Sequence, residues 1–355
     1  MMKRWFFPAF NALICVGLGA LIGYYIGQPA ASIVIGGAAG LIAGLMFEWL
    51  SGRRGMQSRL YRRRVLLLVA LEIPLAVFVI GPYALVLKET RPDPHPVCCE
   101  TPLDYGASTY EEVQIQTADG ETLAGWFVPP IDPPGPAIVL LHGARGDRRG
   151  AAWHAGRLIR AGYGVLLYDQ RALGESTGQV VSLGRLDAPD LLTVMAYLAA
   201  RPEVDAGRIG AVGLSGGGHI ALNAAYQAPD RFGALWLDGI QAQRLEDYPT
   251  AENAGEQFAT FMNGLILMMA EIHLGSPWPP AFRQILAELD QPPVFIVAAG
   301  QDDFERRVNQ NYARVQGANT QLWLIEEAGH LGGPVIMPDE YERRMLAFFA
   351  AALGE

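Results

Sequence analysis

Ile209 to Ala225 reads IGAVGLSGGGHIALNAA: a serine between glycines, after an apolar run of strand type and before an alanine-rich run of helix type. GLSGG matches G-x-S-x-G, the turn in which a strand passes sharply into a helix and lifts a serine hydroxyl above the sheet. Small residues at Gly213 and Gly217 permit such a turn. A chain with 41 glycines produces this pattern easily by chance, so the strand-to-helix junction carries the reading more than the match does. Ser215 is read as a nucleophile.

Outward from this junction, short apolar runs alternate with helical patterns. EEVQIQT and ETLAGWFVPP read as an antiparallel pair around a turn at Ala118-Asp119-Gly120. AIVLLHG, GVLLYD, IGAVGLS, ALWLDG, VFIVAAG and LWLIEEAGH have the length and apolarity of buried parallel strands. Helix patterns cover 151–161, 189–200, 218–228 and 304–315. The alternation predicts an α/β domain over 105–355 with a mostly parallel sheet covered on both faces. From 241 to 291 no strand appears, and the methionine-rich FATFMNGLILMMAEIHL is read as a helical cap inserted over the sheet, an ordinary buried helix being the alternative.

A serine hydroxyl is a weak nucleophile at neutral pH and needs a base that is itself oriented by an acid. His330, in EEAGHLGG, follows the last strand run and leads a glycine-rich loop. The acid belongs between Ser215 and His330, and VFIVAAGQDDFE offers Asp302, Asp303 and Glu305 just beyond a strand. The order serine, acid, histidine is that of the hydrolases built on G-x-S-x-G. Acyl transfer also needs two donors for the oxyanion. The N–H of Gly216 and that of Ala144, in the loop after AIVLLHG, are the candidates, with His142 supporting the loop. His95, His154, His219 and His273 are read as structural, His219 being near enough to Ser215 to touch substrate.

The composition points to lipid. With 51% hydrophobic and 18% charged residues, the chain is more apolar than a soluble enzyme of 355 residues needs. The excess lies in 5–27, 33–50 and 65–87, each near the ~20 residues of a membrane-spanning helix, and none has the profile of a cleaved signal peptide. Glu48 and Glu72 fall inside these stretches and are given no function. Arg53, Arg54, Arg59, Arg62, Arg63 and Arg64 crowd the loop before the third stretch. By the positive-inside rule, the N-terminus and this loop are cytoplasmic and everything after the third span is extracytoplasmic. Residues 1–88 hold nine Lys/Arg against two Glu, net +7; the remainder, with 18 against 34, carries −16. An acidic domain of that kind excludes nucleic acid as a natural partner. The Pro-rich 89–104 reads as an extended linker. Its adjacent Cys98 and Cys99 are open to a bond between subunits or to a free-thiol state.

LHGARG, YDQRALGEST, GLSGGG, AAGQDD and AGH, in this order and spacing, resemble the α/β-hydrolase superfamily over 105–353. The opening YEEVQIQTADGETLAGWFVPP is similar to prolyl-oligopeptidase-type and membrane-anchored serine hydrolases. The resemblance implies an α/β-hydrolase fold behind three transmembrane helices, Ser215 as nucleophile, His330 as base, and Gly216 with Ala144 as oxyanion donors. The common G-x-x-D, counted from Gly300, selects Asp303 as the acid, with Asp302 and Glu305 competing. RALGES departs from the frequent R-G-x-G-x-S at Ala172, in a loop that is structural in the family. The expected function is that of a membrane-anchored serine hydrolase acting on esters or thioesters of a small or lipid-like acyl substrate. No metal or organic cofactor is signalled, since the sequence holds neither GxxxxGK[ST] nor HExxH. Peptidase action on short peptides and a non-catalytic lipid- or partner-binding role are the alternatives.

Overall fold

Continuous apolar runs become the strands of one sheet in the computed structural model, which describes residues 63, 67, 70–182, 184–315 and 317–354. The elements, in chain order, are α1 (Ala70–Thr90), β1 (Asp93–Pro94), β2 (Glu111–Gln116), β3 (Thr122–Val128), β4 (Gly135–Leu141), α2 (Ala152–Arg160), β5 (Gly164–Tyr168) and β6 (Leu173–Gly174). After these come α3 (Asp187–Ala199), β7 (Val204–Leu214), α4 (Gly216–Gln227), β8 (Ala234–Asp238), α5 (Ala254–Leu274), α6 (Phe282–Glu288), β9 (Val294–Ala299), α7 (Asp303–Tyr312), β10 (Thr320–Ile325), α8 (Gly333–Ile336) and α9 (Pro338–Leu353). Eight strands pair in the order β10-β9-β8-β7-β4-β5-β3-β2. The pairs of β3 with β2 and with β5 are antiparallel and the others parallel.

Alternating side chains split the core between the two faces of the sheet, as the period of a strand requires. Val139, Leu141, Ala211, Leu235 and Leu237 pack with α3, α4, α6 and α7. Ile138, Leu140, Val212, Trp236 and Phe295 point the other way, to α2 and α9. Trp236 is fully buried and stacked on Phe295 at 4.3 Å between ring centroids. The two faces together leave the C-terminal ends of β7, β8 and β9 as the rigid rim from which the site is built.

Contacts divide the chain into two units: residues up to Arg91 with Glu252–Gly275, and Pro92–Ala251 with Ser276–Glu355. This corrects the boundaries expected from sequence in two places. The Pro-rich 89–104 starts in the last residues of α1 and ends in a 3-10 turn, Pro102–Tyr105, and from Pro92 onward it is bound to the larger unit rather than a free linker: β1 pairs in parallel with β6, and His95 Nε2 meets Asp147 at 3.2 Å. The proposed cap 241–291 also breaks up. Only Glu252–Gly275, with α5, leaves the larger unit, whereas Phe282, Ile285 and Leu286 of α6 are buried in that unit's core.

In the smaller unit, α1 is the one helix among the described residues long and apolar enough to cross a membrane, with 21 residues and a mean hydropathy of 2.0. At 1.5 Å per residue it is about 30 Å long, the thickness of a bilayer's hydrocarbon core. It contains 70–87 of the stretch 65–87, while 5–27 and 33–50 lie outside the described residues. Cys98 and Cys99 are exposed and not disulfide-bonded.

Candidate active site

Ser215 sits at the corner between β7 and α4 with φ +50° and ψ −115°, outside the regions open to an ordinary L-residue. Such a conformation costs ~1–3 kcal/mol and persists because its surroundings over-determine it. Here the Ser215 N–H donates to the carbonyl of Asp238 at 2.7 Å, tying the corner to the end of β8. The flanking glycines are steric necessities: a Cβ on Gly213 would lie 2.6 Å from Gly218 Cα, and one on Gly217 2.6 Å from the Leu141 carbonyl oxygen.

His330, in the loop after β10, comes over this corner. Its Nε2 is 3.0 Å from Ser215 Oγ, and its Nδ1 is 2.6 Å from Glu305 Oε2. Glu305 is fully buried, and its other carboxyl oxygen accepts the Ala299 N–H at 2.8 Å. A carboxylate only accepts, so Nδ1 carries the imidazole proton and Nε2 presents a lone pair to the serine hydroxyl. The bond to Glu305 holds the His330 pKa above the usual histidine value, against burial, which lowers it.

The acid selected by family spacing is therefore corrected from Asp303 to Glu305. Asp303 is the first residue of α7, 65% exposed, and its carboxylate pairs with Arg306 and Arg307. Asp302 caps the helix, accepting the Glu305 N–H at 2.9 Å. Two residues of helix turn a side chain by about 200°, which carries Glu305 from Asp303's solvent side to the inner face. The signal was present in the sequence: Glu305, Val308, Asn309 and Tyr312 recur at i, i+3, i+4 and i+7, and all four are buried.

The expected oxyanion donors are adjacent. Gly216 is the first residue of α4, where an N–H has no acceptor within its own helix, and a Cβ on it would lie 3.3 Å from the Ala144 nitrogen. His142 holds their loop from below, donating Nδ1–H to the Gly143 carbonyl at 2.8 Å and accepting the Gln170 N–H at Nε2 at 3.0 Å. Burial pushes its pKa down, so this tautomer stays neutral. Gln170 is fixed in turn by the YDQRALGES loop, where Asp169 accepts from the buried Arg148 at 2.6 Å and from the Glu175 N–H at 2.8 Å.

Two further histidines are held by packing and hydrogen bonds of their own. His219 accepts the Gln241 N–H at 3.1 Å and sets its ring edge-on to Phe282; burial lowers its pKa to about 4. His154 contacts the Tyr341 hydroxyl at 3.1 Å, and burial lowers its pKa to about 3. Sequence reading missed Asp238 altogether. Its carboxylate is 2% exposed at the end of β8 and accepts from Tyr341 at 2.7 Å, whose hydroxyl accepts from Trp236 Nε1 at 2.8 Å. Burial lifts Asp238 to about 7. A charged residue closing an apolar strand run, as in ALWLD, was the available hint.

The family model for the alpha/beta hydrolase fold matches residues 136–279, the stretch that contains the sheet centre and the serine corner. Over that stretch the chain is similar to the α/β-hydrolase superfamily. Among curated proteins it is 34% identical over 119 residues to an uncharacterised protein of Mycobacterium tuberculosis, covering 33% of this chain and 42% of that one; the chain thus spans about two fifths of that relative's length. It is 24% identical over 225 residues to the alpha/beta hydrolase domain-containing protein WAV2 of Arabidopsis thaliana, covering 61% of this chain and 70% of WAV2. An esterase of Pyrococcus furiosus superposes with a TM-score of 0.58 at 22% identity, over 74% of this chain and 99% of its own, a likeness of fold. Glu305 and His330 lie beyond the family match, and their pairing rests on the 2.6 Å between His330 Nδ1 and Glu305 Oε2.

Proposed function

We propose that the protein is a membrane-anchored serine hydrolase that cleaves carboxylic esters or thioesters through an acyl-enzyme. The observation that carries the reading is the continuous relay from Ser215 Oγ through His330 to Glu305, at 3.0 and 2.6 Å. Ser215 Oγ attacks the acyl carbonyl as Nε2 of His330 takes its proton, and Glu305 holds the imidazolium so formed. The Ala144 and Gly216 amides receive the oxyanion. Collapse breaks the bond to the alcohol or thiol, which leaves with the proton from Nε2. Water, deprotonated by the same nitrogen, then attacks the acyl carbon and releases the acid and the free serine.

The anchor is α1, joined by the arginine-rich segment before it, which the positive-inside rule keeps cytoplasmic with the N-terminus while the hydrolase unit lies outside. Exposed Val335 and Ile336, just past His330, favour an apolar acyl group. Labelling of purified protein with a fluorophosphonate probe tests the nucleophile: wild type is labelled and Ser215→Ala is not. Folded wild type that resists the probe would refute the reading. A panel of acyl esters, thioesters and aminoacyl amides then ranks substrates, and preferential turnover of the amides would make the protein a peptidase instead.

A further inference from the structure

The smaller unit holds a second helix that the catalytic reading leaves without a task. α5 interrupts the hydrolase unit for 21 residues, of which only Ala270 is buried. Phe258, Phe261, Leu265, Met268 and Ile272 follow one another at alternating steps of three and four, which aligns them along one side of a helix. Four of them are strongly exposed: Phe258 at 52%, Phe261 at 54%, Met268 at 49% and Ile272 at 73%. Glu256, Thr260, Asn263 and Glu271 lie on the other side, with Leu267 among them.

Within its unit α5 is held against α1. Phe258 and Phe261 set their rings edge-on to Phe78 at 6.3 and 5.9 Å, and His273 lies 3.3 Å from the Tyr83 hydroxyl. The contacts at the two ends of α5 are about 20 Å apart along that helix, yet they meet α1 at positions only about 8 Å apart along its axis. α5 therefore runs across α1 rather than alongside it. The apolar surface of α1, including exposed Ile73, Leu75 and Val79, continues onto the stripe of α5.

We propose that α5 is a membrane-seated helix, lying across the anchor with its Phe258–Ile272 stripe in the acyl chains of the bilayer. The proposal rests on the reading of α1 as a membrane anchor. Two features select lipid as the occupant: the exposed apolar stripe at helical period, and the direct continuity with a helix of bilayer-spanning length. The charged groups of α5 are the acidic Glu256 and Glu271, so attachment needs no anionic lipid. The hydrolase chain is thereby fastened to the bilayer on both sides of its insertion, at Ala251 and Ser276, besides its start after α1.

The test uses full-length protein in phosphatidylcholine vesicles, with Cys15, Cys98 and Cys99 replaced by Ser and a single thiol introduced by Met268→Cys or, as control, by Ile131→Cys. Ile131 is 66% exposed on the hydrolase unit. A bimane fluorophore at position 268 is expected to be quenched several-fold more by spin-labelled lipid than one at 131, and the position 268 thiol to be shielded from an aqueous maleimide. Maleimide reactivity equal to that of position 131 overturns the proposal. So does a thiol that is shielded but unquenched, which would mean that protein covers the stripe, whether another segment of the chain or a second copy. Protein that fails to float with the vesicles refutes the anchor itself, while fluorophosphonate labelling of Ser215 reports separately on the hydrolase reading.

Discussion

Replacing Glu305 by Gln separates the structure's acid from the one that family spacing selects. Both carboxyl oxygens of Glu305 are committed, one to His330 Nδ1–H at 2.6 Å and one to Ala299 N–H at 2.8 Å. Glutamine brings one acceptor oxygen, so one of those two donors must face an N–H. If the oxygen stays with Ala299, the imidazole shifts to the other tautomer and Nε2 no longer accepts the serine proton. If it stays with His330, a buried N–H is orphaned at a cost of ~1–3 kcal/mol, and a charge-assisted bond worth ~1.5–3 kcal/mol is reduced to a neutral one. Amide-for-acid replacement in such triads lowers turnover by about ten-thousand-fold, or ~5.5 kcal/mol at ~1.4 kcal/mol per decade. A fall in kcat/KM of about a thousand- to ten-thousand-fold is therefore expected for Glu305→Gln in ester hydrolysis, with its far-ultraviolet spectrum retained. The acid limb of its residual pH profile should also move to lower pH, because the bond to Glu305 is the main cause of His330's raised pKa and the base must be neutral to act. Asp303→Asn, a change at an exposed ion pair, should alter activity by less than about twofold. The reverse ranking of the two variants would refute the assignment of the acid.

Two further outcomes follow from the packing around Ser215. Gly217→Ala would place a Cβ 2.6 Å from the Leu141 carbonyl oxygen and 2.7 Å from that of His142; both are backbone atoms that cannot swing away, so urea unfolding should show a loss toward the upper end of ~1–3 kcal/mol, and a loss under ~1 kcal/mol would mean that the corner is looser than these distances imply. Asp238, buried and raised from 3.8 to about 7, stays protonated in the folded state while the unfolded chain ionises, so it takes stability away as pH rises from about 4 to about 7, by on the order of 4 kcal/mol; Asp238→Asn should lack that decline when urea unfolding is compared between pH 4 and 7.5, and parallel curves for the two proteins would contradict the burial.

The sheet and the serine corner were legible because local rules govern them. Strand runs such as AIVLLHG and VFIVAAG are apolar throughout since both faces are covered, and the glycines of GLSGG answer to clashes a few residues away. The acid was harder. Three carboxylates within four residues share composition and strand-end position, and only rotation about α7 separates Asp303, facing water, from Glu305, facing His330. Asp238 was invisible for a different reason: its partner Tyr341 is 103 residues away, and no local pattern announces a bond of that span. α5 was recognised as helical, but period alone does not say against what a helix packs. The same amphipathic spacing suits a cap over a sheet and a helix grouped with Ala70–Thr90.

Backbone strain traces the same site independently of any motif. Among the described residues, four other than glycine have positive φ: Arg145, Ala172, Ser215 and Leu331. Arg145 follows the oxyanion candidate Ala144, Leu331 follows His330, and Ser215 is the proposed nucleophile. Ala172 looks like the exception, since it lies in the loop after β5 and substitutes for a glycine common in relatives. Yet this loop carries Gln170, whose backbone and side chain both bond to His142, the residue beneath the Ala144 turn. Each strained position costs ~1–3 kcal/mol, and the doubly covered sheet supplies the rigidity that holds them. An apolar core whose only task was to stay folded would have no reason to concentrate unfavourable backbone beyond the C-terminal ends of four strands of one sheet. A site that must present a hydroxyl, an imidazole and two amides to one carbonyl group does.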